Sequence, residues 1–201
     1  MSRVPNLDSA RLRLRQNAES HVHSDHFVEF YDRDEQILQT VGTFISTGLQ
    51  GDDAAVVIAT PDHLQALEAD LERSINLAGA RAAGRYASFE AEHVLDGFMQ
   101  NGMPDPLEFD RIVSAALGRV SRDGRSLRVF GEMVGVLWQQ GNITGALALE
   151  DLWNDLIARR RMRLFCAYPS TALAGTSSSD VTSICDRHTH VLIPTPDRRS
   201  S

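Results

Sequence analysis

The sequence predicts an α/β fold, a three-layer sandwich with a mainly parallel central sheet. Three observations carry this. Short strand-like runs alternate with segments of helical periodicity along the whole chain. One run, Ala54 to Thr60 (AAVVIAT), is continuously apolar and bounded by Asp53 and Pro61, which suits a strand buried on both faces of a parallel sheet. The stretch Leu127 to Tyr168 reads as strand, sharp turn, two helices and strand, a unit that closes as a right-handed crossover.

Taken in order, residues 1–21 have weak periodicity and many charges and are expected to form a mobile arm. HFVEFY (26–31) is a first strand. Asp32 and Asp34 open a helix through Leu49, with Ile37, Leu38, Val41, Phe44 and Ile45 on one face. The apolar strand at 54–60 follows. Pro61 starts the next helix, where its missing N–H does no harm, and Leu64, Leu67 and Leu71 form its inner face. Residues 84–89 are a strand candidate, 90–100 a helix closed by Asn101-Gly102, and 108–122 a further helix stopped by Asp123-Gly124. Then come a strand at 126–130, helices at 132–140 and 144–160, and a strand at 163–168 ended by Pro169. A short helix through Arg187 and a last strand at 190–193 complete the domain, expected over 22–194, with 195–201 as a disordered tail.

The chain has 201 residues, is 42% hydrophobic and has a net charge of −7, values that fit one soluble globular domain and oppose binding along a phosphate backbone. No apolar run is long enough to span a bilayer, and the first twenty residues lack the apolar core of a secretory signal; the expected location is the cytoplasm. All twenty basic residues are arginine. Without lysine, neither a phosphate-loop ATPase nor Schiff-base chemistry can operate on this chain alone, and no enzyme is expected.

In an open α/β sheet, ligands bind outside the carboxyl ends of the strands. There the sequence places Tyr31, Thr60, His63, Glu132 and Tyr168, the candidate ligand-binding residues. Glu132 also suits the first turn of a helix, where the dipole favours a carboxylate. Trp138 and Trp153 recur at helical spacing with leucines and valines, a pattern of core packing, but tryptophan also marks partner surfaces; both are candidates for one. Two histidine groups, HVHSDH (21–26) and CDRHTHV (185–191), would come together if the two ends of the domain meet. Cys185, His188 and His190 are the nearest to a zinc set, yet local sequence supplies no complete four-ligand site, and no metal or other cofactor is expected. Cys166, inside the apolar LFCAY, reads as a small core residue.

The segments HFVEFYDRDEQIL, GLQGDDAAVVIATPDH, GFMQNGMPD, LRVFGEMVGVLWQQGN, LEDLWNDL, LFCAYP and ICDRHTHVLIP together resemble the MEDS domain, the sensory domain named after methanogens, methylotrophs and a dichloromethane-responsive regulator. The resemblance covers about residues 22–194 in one order. It implies a fold similar to the KaiC and RecA ATPase cores, here without a phosphate-binding loop, because GLQGDDAAVVIATP carries neither the glycine loop nor the lysine. It also implies a non-catalytic cytoplasmic sensory domain that binds a small, hydrocarbon-derived ligand and signals to a partner kinase or transcription regulator. The alternative, suggested by the lone domain and its mix of arginines and acidic residues, is a ligand-independent interaction protein that sequesters a signalling or sigma-type factor. Neither a direct nucleic-acid contact nor a membrane contact is expected.

Overall fold

The computed structural model describes residues 25–120, 124–173 and 175–192. The expected arm and tail, together with His21 and His23, lie outside the described residues. The strand β1 (His26–Tyr31) leads through α1 (Asp34–Gln50) to β2 (Ala54–Ala59), then through α2 (Pro61–Ser74) and α3 (Leu77–Ala82) to β3 (Tyr86–Glu90). The helix α4 (Ala91–Asp96), a hairpin of β4 (Met99–Gln100) and β5 (Met103–Pro104), and α5 (Pro106–Gly118) lead to β6 (Leu127–Gly131). The helices α6 (Met133–Gln139) and α7 (Ile143–Arg159) precede β7 (Met162–Pro169), and α8 (Ser178–Cys185) precedes β8 (His190–Leu192).

Six strands form one sheet in the order β3-β2-β6-β7-β1-β8, and every pairing within it is parallel. The layering follows from crossover handedness. From β1 to β3 the chain travels toward one sheet edge; from β3 to β8 it travels back. Right-handed crossovers must change faces when the direction reverses. Accordingly α1, α2 and α3 pack on one face, through Ile37, Leu67 and Leu77. The helices α4 to α8 cover the other, through Val94, Phe109, Val134, Leu149 and Ile184. The expected three-layer α/β sandwich is the observed one.

Burial explains why these segments take these forms. All six residues of β2 are buried, as a strand covered on both faces requires. In α1 the buried Ile37, Val41, Phe44, Ile45 and Leu49 follow the i, i+4, i+7, i+8 spacing of one helical stripe. Each such side chain, removed from water, contributes about 1.5–3 kcal/mol. No helix among the described residues is long and apolar enough to cross a membrane.

The structure corrects the expected elements in three places. The helix expected at 90–100 ends at Asp96, and Asn101-Gly102 instead forms the two-residue turn of the β4–β5 hairpin, with φ of 51° and 78°. Positive φ at both turn residues is what Asn-Gly provides most easily. The helix expected from 108 begins at Pro106, because Asp105 accepts hydrogen bonds from the Leu107 and Glu108 N–H groups and caps it. An unexpected helix, α3, starts where the Asn76 side chain accepts from Gly79 N at 2.9 Å.

Candidate functional site

Two polar centres interrupt the core, one on each side of the sheet. The first lies at the carboxyl ends of β1, β2 and β6. Glu132 follows β6 directly and its N–H donates to the Ile58 carbonyl at 2.9 Å. Its side chain does not cap its own helix; it reaches across to the β2–α2 turn. There Oε2 accepts from the Thr60 N–H at 2.9 Å and from the Thr60 hydroxyl at 3.3 Å, and Oε1 pairs with His63 Nδ1. Pro61 at the first helical position of α2 sets the turn so that His63 projects back toward Glu132.

The His63 ring continues the connection outward. Its Nε2 is 3.5 Å from Asp34 Oδ1, and the Asp34 side chain is 68% exposed. The Tyr31 ring stands edge-on to His63 at 6.2 Å. The hydrogen bond to Glu132 raises the His63 pKa above its ordinary value against the opposing effect of burial, with Asp34 adding to the rise. Burial raises the Tyr31 pKa, helped by the Glu132 and Asp34 charges. The arrangement is a carboxylate–imidazole pair whose second imidazole nitrogen meets the exposed Asp34 carboxylate, beside the Tyr31 ring and the Thr60 hydroxyl. It can bind a small polar group and orient it, and it can exchange a proton through His63.

The structure therefore brings Tyr31, Thr60, His63 and Glu132 together but not Tyr168. Alternation along the strands is the reason. Phe30 pairs with Tyr168 in register, and both face the α4–α8 layer, whereas Tyr31 faces the α1–α3 layer. Trp138 and Trp153 do not form a partner surface: they are 2% and 0% exposed. Trp153 packs edge-on against Phe109 at 5.3 Å and Trp138 against Tyr168 at 5.6 Å, so the helical spacing of both tryptophans reports core packing.

The second centre is where Tyr168 goes. Its hydroxyl donates to Glu150 Oε1 at 2.6 Å, and Glu150, in the middle of α7, is 0% exposed. Around the same carboxylate lie His26 of β1, Cys166 of β7 and His188 of the α8–β8 turn, with one ligand atom of each residue within 4.8 Å of the others. Burial pulls the His26 pKa down to about 4 and pushes the Cys166 thiol up. Burial acts to raise the Glu150 carboxyl, but His188, His26 and the Tyr168 hydroxyl together hold it below its ordinary value. This group has the chemistry and spacing to hold a metal ion. Of the three residues singled out in the sequence for zinc, only His188 belongs to it. Cys185 is half-buried outside it, and the His190 ring lies against Phe27 with Nε2 3.3 Å from Asp25.

Sequence reasoning overlooked Glu150 and Cys166 as site residues. Glu150 does carry a local signal: it falls on the buried stripe Ala146, Leu149, Glu150, Trp153, Leu156, Ile157 of α7, and a carboxylate on an apolar stripe needs buried partners. Where those partners come from is a tertiary fact. The parallel pairing of β1 with β8 brings the two ends of the domain together, as the paired histidine groups require.

The profile of the family described as "MEDS: MEthanogen/methylotroph, DcmR Sensory domain" matches residues 25–188. No curated protein matches the chain. A chain in a solved structure of Drosophila ORC bound to DNA is similar with a TM-score of 0.36 and 10% identity over 94% of each chain, a likeness too slight to carry any argument.

Proposed function

The chain belongs to the MEDS family of sensory domains, and from that premise we propose that it is a non-catalytic sensory module. Its rim site takes a small, hydrocarbon-derived ligand and passes the change to a protein partner, a kinase or transcription regulator. The observation that carries this reading is His63. Glu132 engages one imidazole nitrogen, while the other lies 3.5 Å from the exposed Asp34 carboxylate, beside the Tyr31 ring. A polar handle beside an aromatic wall suits a small molecule with one polar group.

A positioning role for Glu132 supports the non-catalytic reading, because each of its oxygens is already engaged, by Thr60 or by His63. The ligand would act by population shift. The rim joins the end of β1 to the starts of α1 and α2, so a ligand that draws Tyr31, Asp34 and His63 together biases how α1 and α2 sit on the sheet and what they present outward.

The test is ligand-dependent thermal stabilisation with dichloromethane, methanol and short-chain alcohols and aldehydes as probes. At least one probe is expected to raise Tm saturably in the wild type, and His63→Ala should abolish the response. No response to any probe, a response indifferent to His63→Ala, or turnover of nucleotide by the purified protein would each overturn the reading.

A further inference from the structure

We propose that His26, Glu150, Cys166 and His188 form a closed binding site for one zinc-class divalent ion, which pins the α8–β8 segment onto the sheet. The site shares no residue with the rim and stands whether or not the rim binds a ligand.

The tautomers point to it first. His26 Nδ1 lies 3.0 Å from Asn154 Oδ1, and Asn154 Nδ2 donates to the Arg187 carbonyl at 3.0 Å, so the amide oxygen is the atom facing His26. His26 therefore donates from Nδ1 and carries its lone pair on Nε2. His188 Nδ1 lies 2.7 Å from the Ile184 carbonyl, which can only accept, so the neutral His188 also keeps its lone pair on Nε2. Both Nε2 atoms are directed at Glu150. Metal-bound histidines are fixed in this way, with the outer nitrogen donating to a carbonyl or amide oxygen.

Such a geometry is unfavourable without a cation. His188 Nε2 is fully buried, 3.4 Å from Glu150 Oε1, and it makes no hydrogen bond: the contact is close but misaligned for an N–H donor. In the neutral imidazole the Nε2 lone pair faces a buried carboxylate, which is repulsive unless a proton or a metal ion supplies positive charge between them. A positive ion between them turns that repulsion into two bonds.

The distances fit a tetrahedral ion. Bonds of roughly 2.0–2.3 Å to nitrogen, oxygen and sulfur imply ligand–ligand edges of about 3.3–3.6 Å. Three of the ligand atoms close one face of such a tetrahedron: His26 Nε2 to Cys166 Sγ is 3.3 Å, His26 Nε2 to Glu150 Oε2 is 3.4 Å and Cys166 Sγ to Glu150 Oε2 is 3.7 Å. His188 Nε2, the fourth ligand, lies 3.4 Å from the other carboxylate oxygen, Oε1, and one ligand atom of each of the four residues lies within 4.8 Å of the others. Charge also balances. The ion displaces the Cys166 thiol proton to solvent and binds one thiolate, one carboxylate and two neutral imidazoles, for a net charge of zero in a site closed to water. Two imidazoles and a thiolate favour zinc over the harder magnesium and calcium. Four protein ligands leave no open position, so the site is structural rather than catalytic. Tyr168, through its 2.6 Å hydrogen bond, orients the carboxylate.

The test uses the purified full-length chain, stripped with a chelator and titrated with zinc or cobalt. One ion per chain is expected, with tetrahedral d–d bands and a thiolate-to-cobalt charge-transfer band. Cys166→Ser should remove that band and Cys185→Ser should leave it. Changing a residue that only orients a ligand costs roughly 10–100-fold in metal affinity, so Tyr168→Phe, which keeps the core volume, should weaken binding in that range and His188→Gln by more. Bound zinc should also slow amide exchange across residues 178–192. Failure to bind stoichiometrically at micromolar metal, a cobalt complex without the thiolate band, or binding indifferent to both Cys166→Ser and His188→Gln would overturn the proposal. None of these variants touches His63, so this failure is separable from a failure of the rim reading.

Discussion

Glu132 and Glu150 are carboxylates of the same chemistry, both 4% exposed or less, both on helices of one layer, yet they lead to different places. Glu132 begins a helix and reaches over the sheet edge. Through His63 and Asp34 its hydrogen-bonded chain ends in solvent. Glu150 sits mid-helix and its partners, Tyr168, His26, Cys166 and His188, are closed around it. The contrast teaches that burial alone does not identify a responsive site. What distinguishes the two is whether the polar chain reaches the surface. The Glu132 centre meets solvent at Asp34, whose side chain is 68% exposed; the Glu150 centre is closed within the core.

Stability measurements can break that distinction, beginning with the largest expected effect. Glu150→Ala leaves the buried Tyr168 hydroxyl without its acceptor and removes the carboxylate around which His26, Cys166 and His188 gather, and removing one partner of a buried charged network costs about 3–5 kcal/mol; urea unfolding should show a loss of this size. A loss under about 1 kcal/mol would mean that the Glu150 centre holds nothing together. Trp153→Ala, in the same layer, should cost a similar ~3–5 kcal/mol by opening a cavity. If the loss is small while binding to a protein partner falls, that helix face is an interface after all.

Glu132→Gln keeps an oxygen for Thr60 but takes the charged acceptor from His63, and should cost about 1–3 kcal/mol. If it destabilises as much as Glu150→Ala, the two centres are not different in kind. The smallest effect is in pH dependence. The His63 pKa is raised in the folded state from its ordinary 6.5. Its contribution to stability is therefore fully present below pH 6.5 and fades as pH rises through the raised value. Thermal melts above pH 6.5 should show this loss in the wild type and not in His63→Gln; identical slopes in the two proteins would detach His63 from Glu132.

The rim was largely legible in the sequence because its logic is local. Thr60, His63 and Glu132 each follow a strand within a few residues, and the ends of neighbouring parallel strands must lie together. Tyr168 obeys the same local rule but not the same face, since its direction depends on the register that pairs it with Phe30. The Asn101-Gly102 pair has one local meaning as a helix stop and another as a hairpin turn, and only the β4–β5 pairing separates them. The Glu150 centre was least legible. Its residues come from β1, α7, β7 and the α8–β8 turn, and the separation between His26 and Cys166 is 140 residues; no window along the chain contains it.

The central claim is that ligand sensing resides at the rim and not at the buried centre. Proton–nitrogen NMR spectra of labelled protein, titrated with the small-molecule probe that best raises Tm, test it most directly. The account predicts saturable shifts centred on Tyr31, Thr60, His63 and Glu132, lost in His63→Ala, with the His26 and His188 imidazole signals unmoved. Saturable shifts that instead centre on His26, Tyr168 and His188, or that persist in His63→Ala, would contradict it.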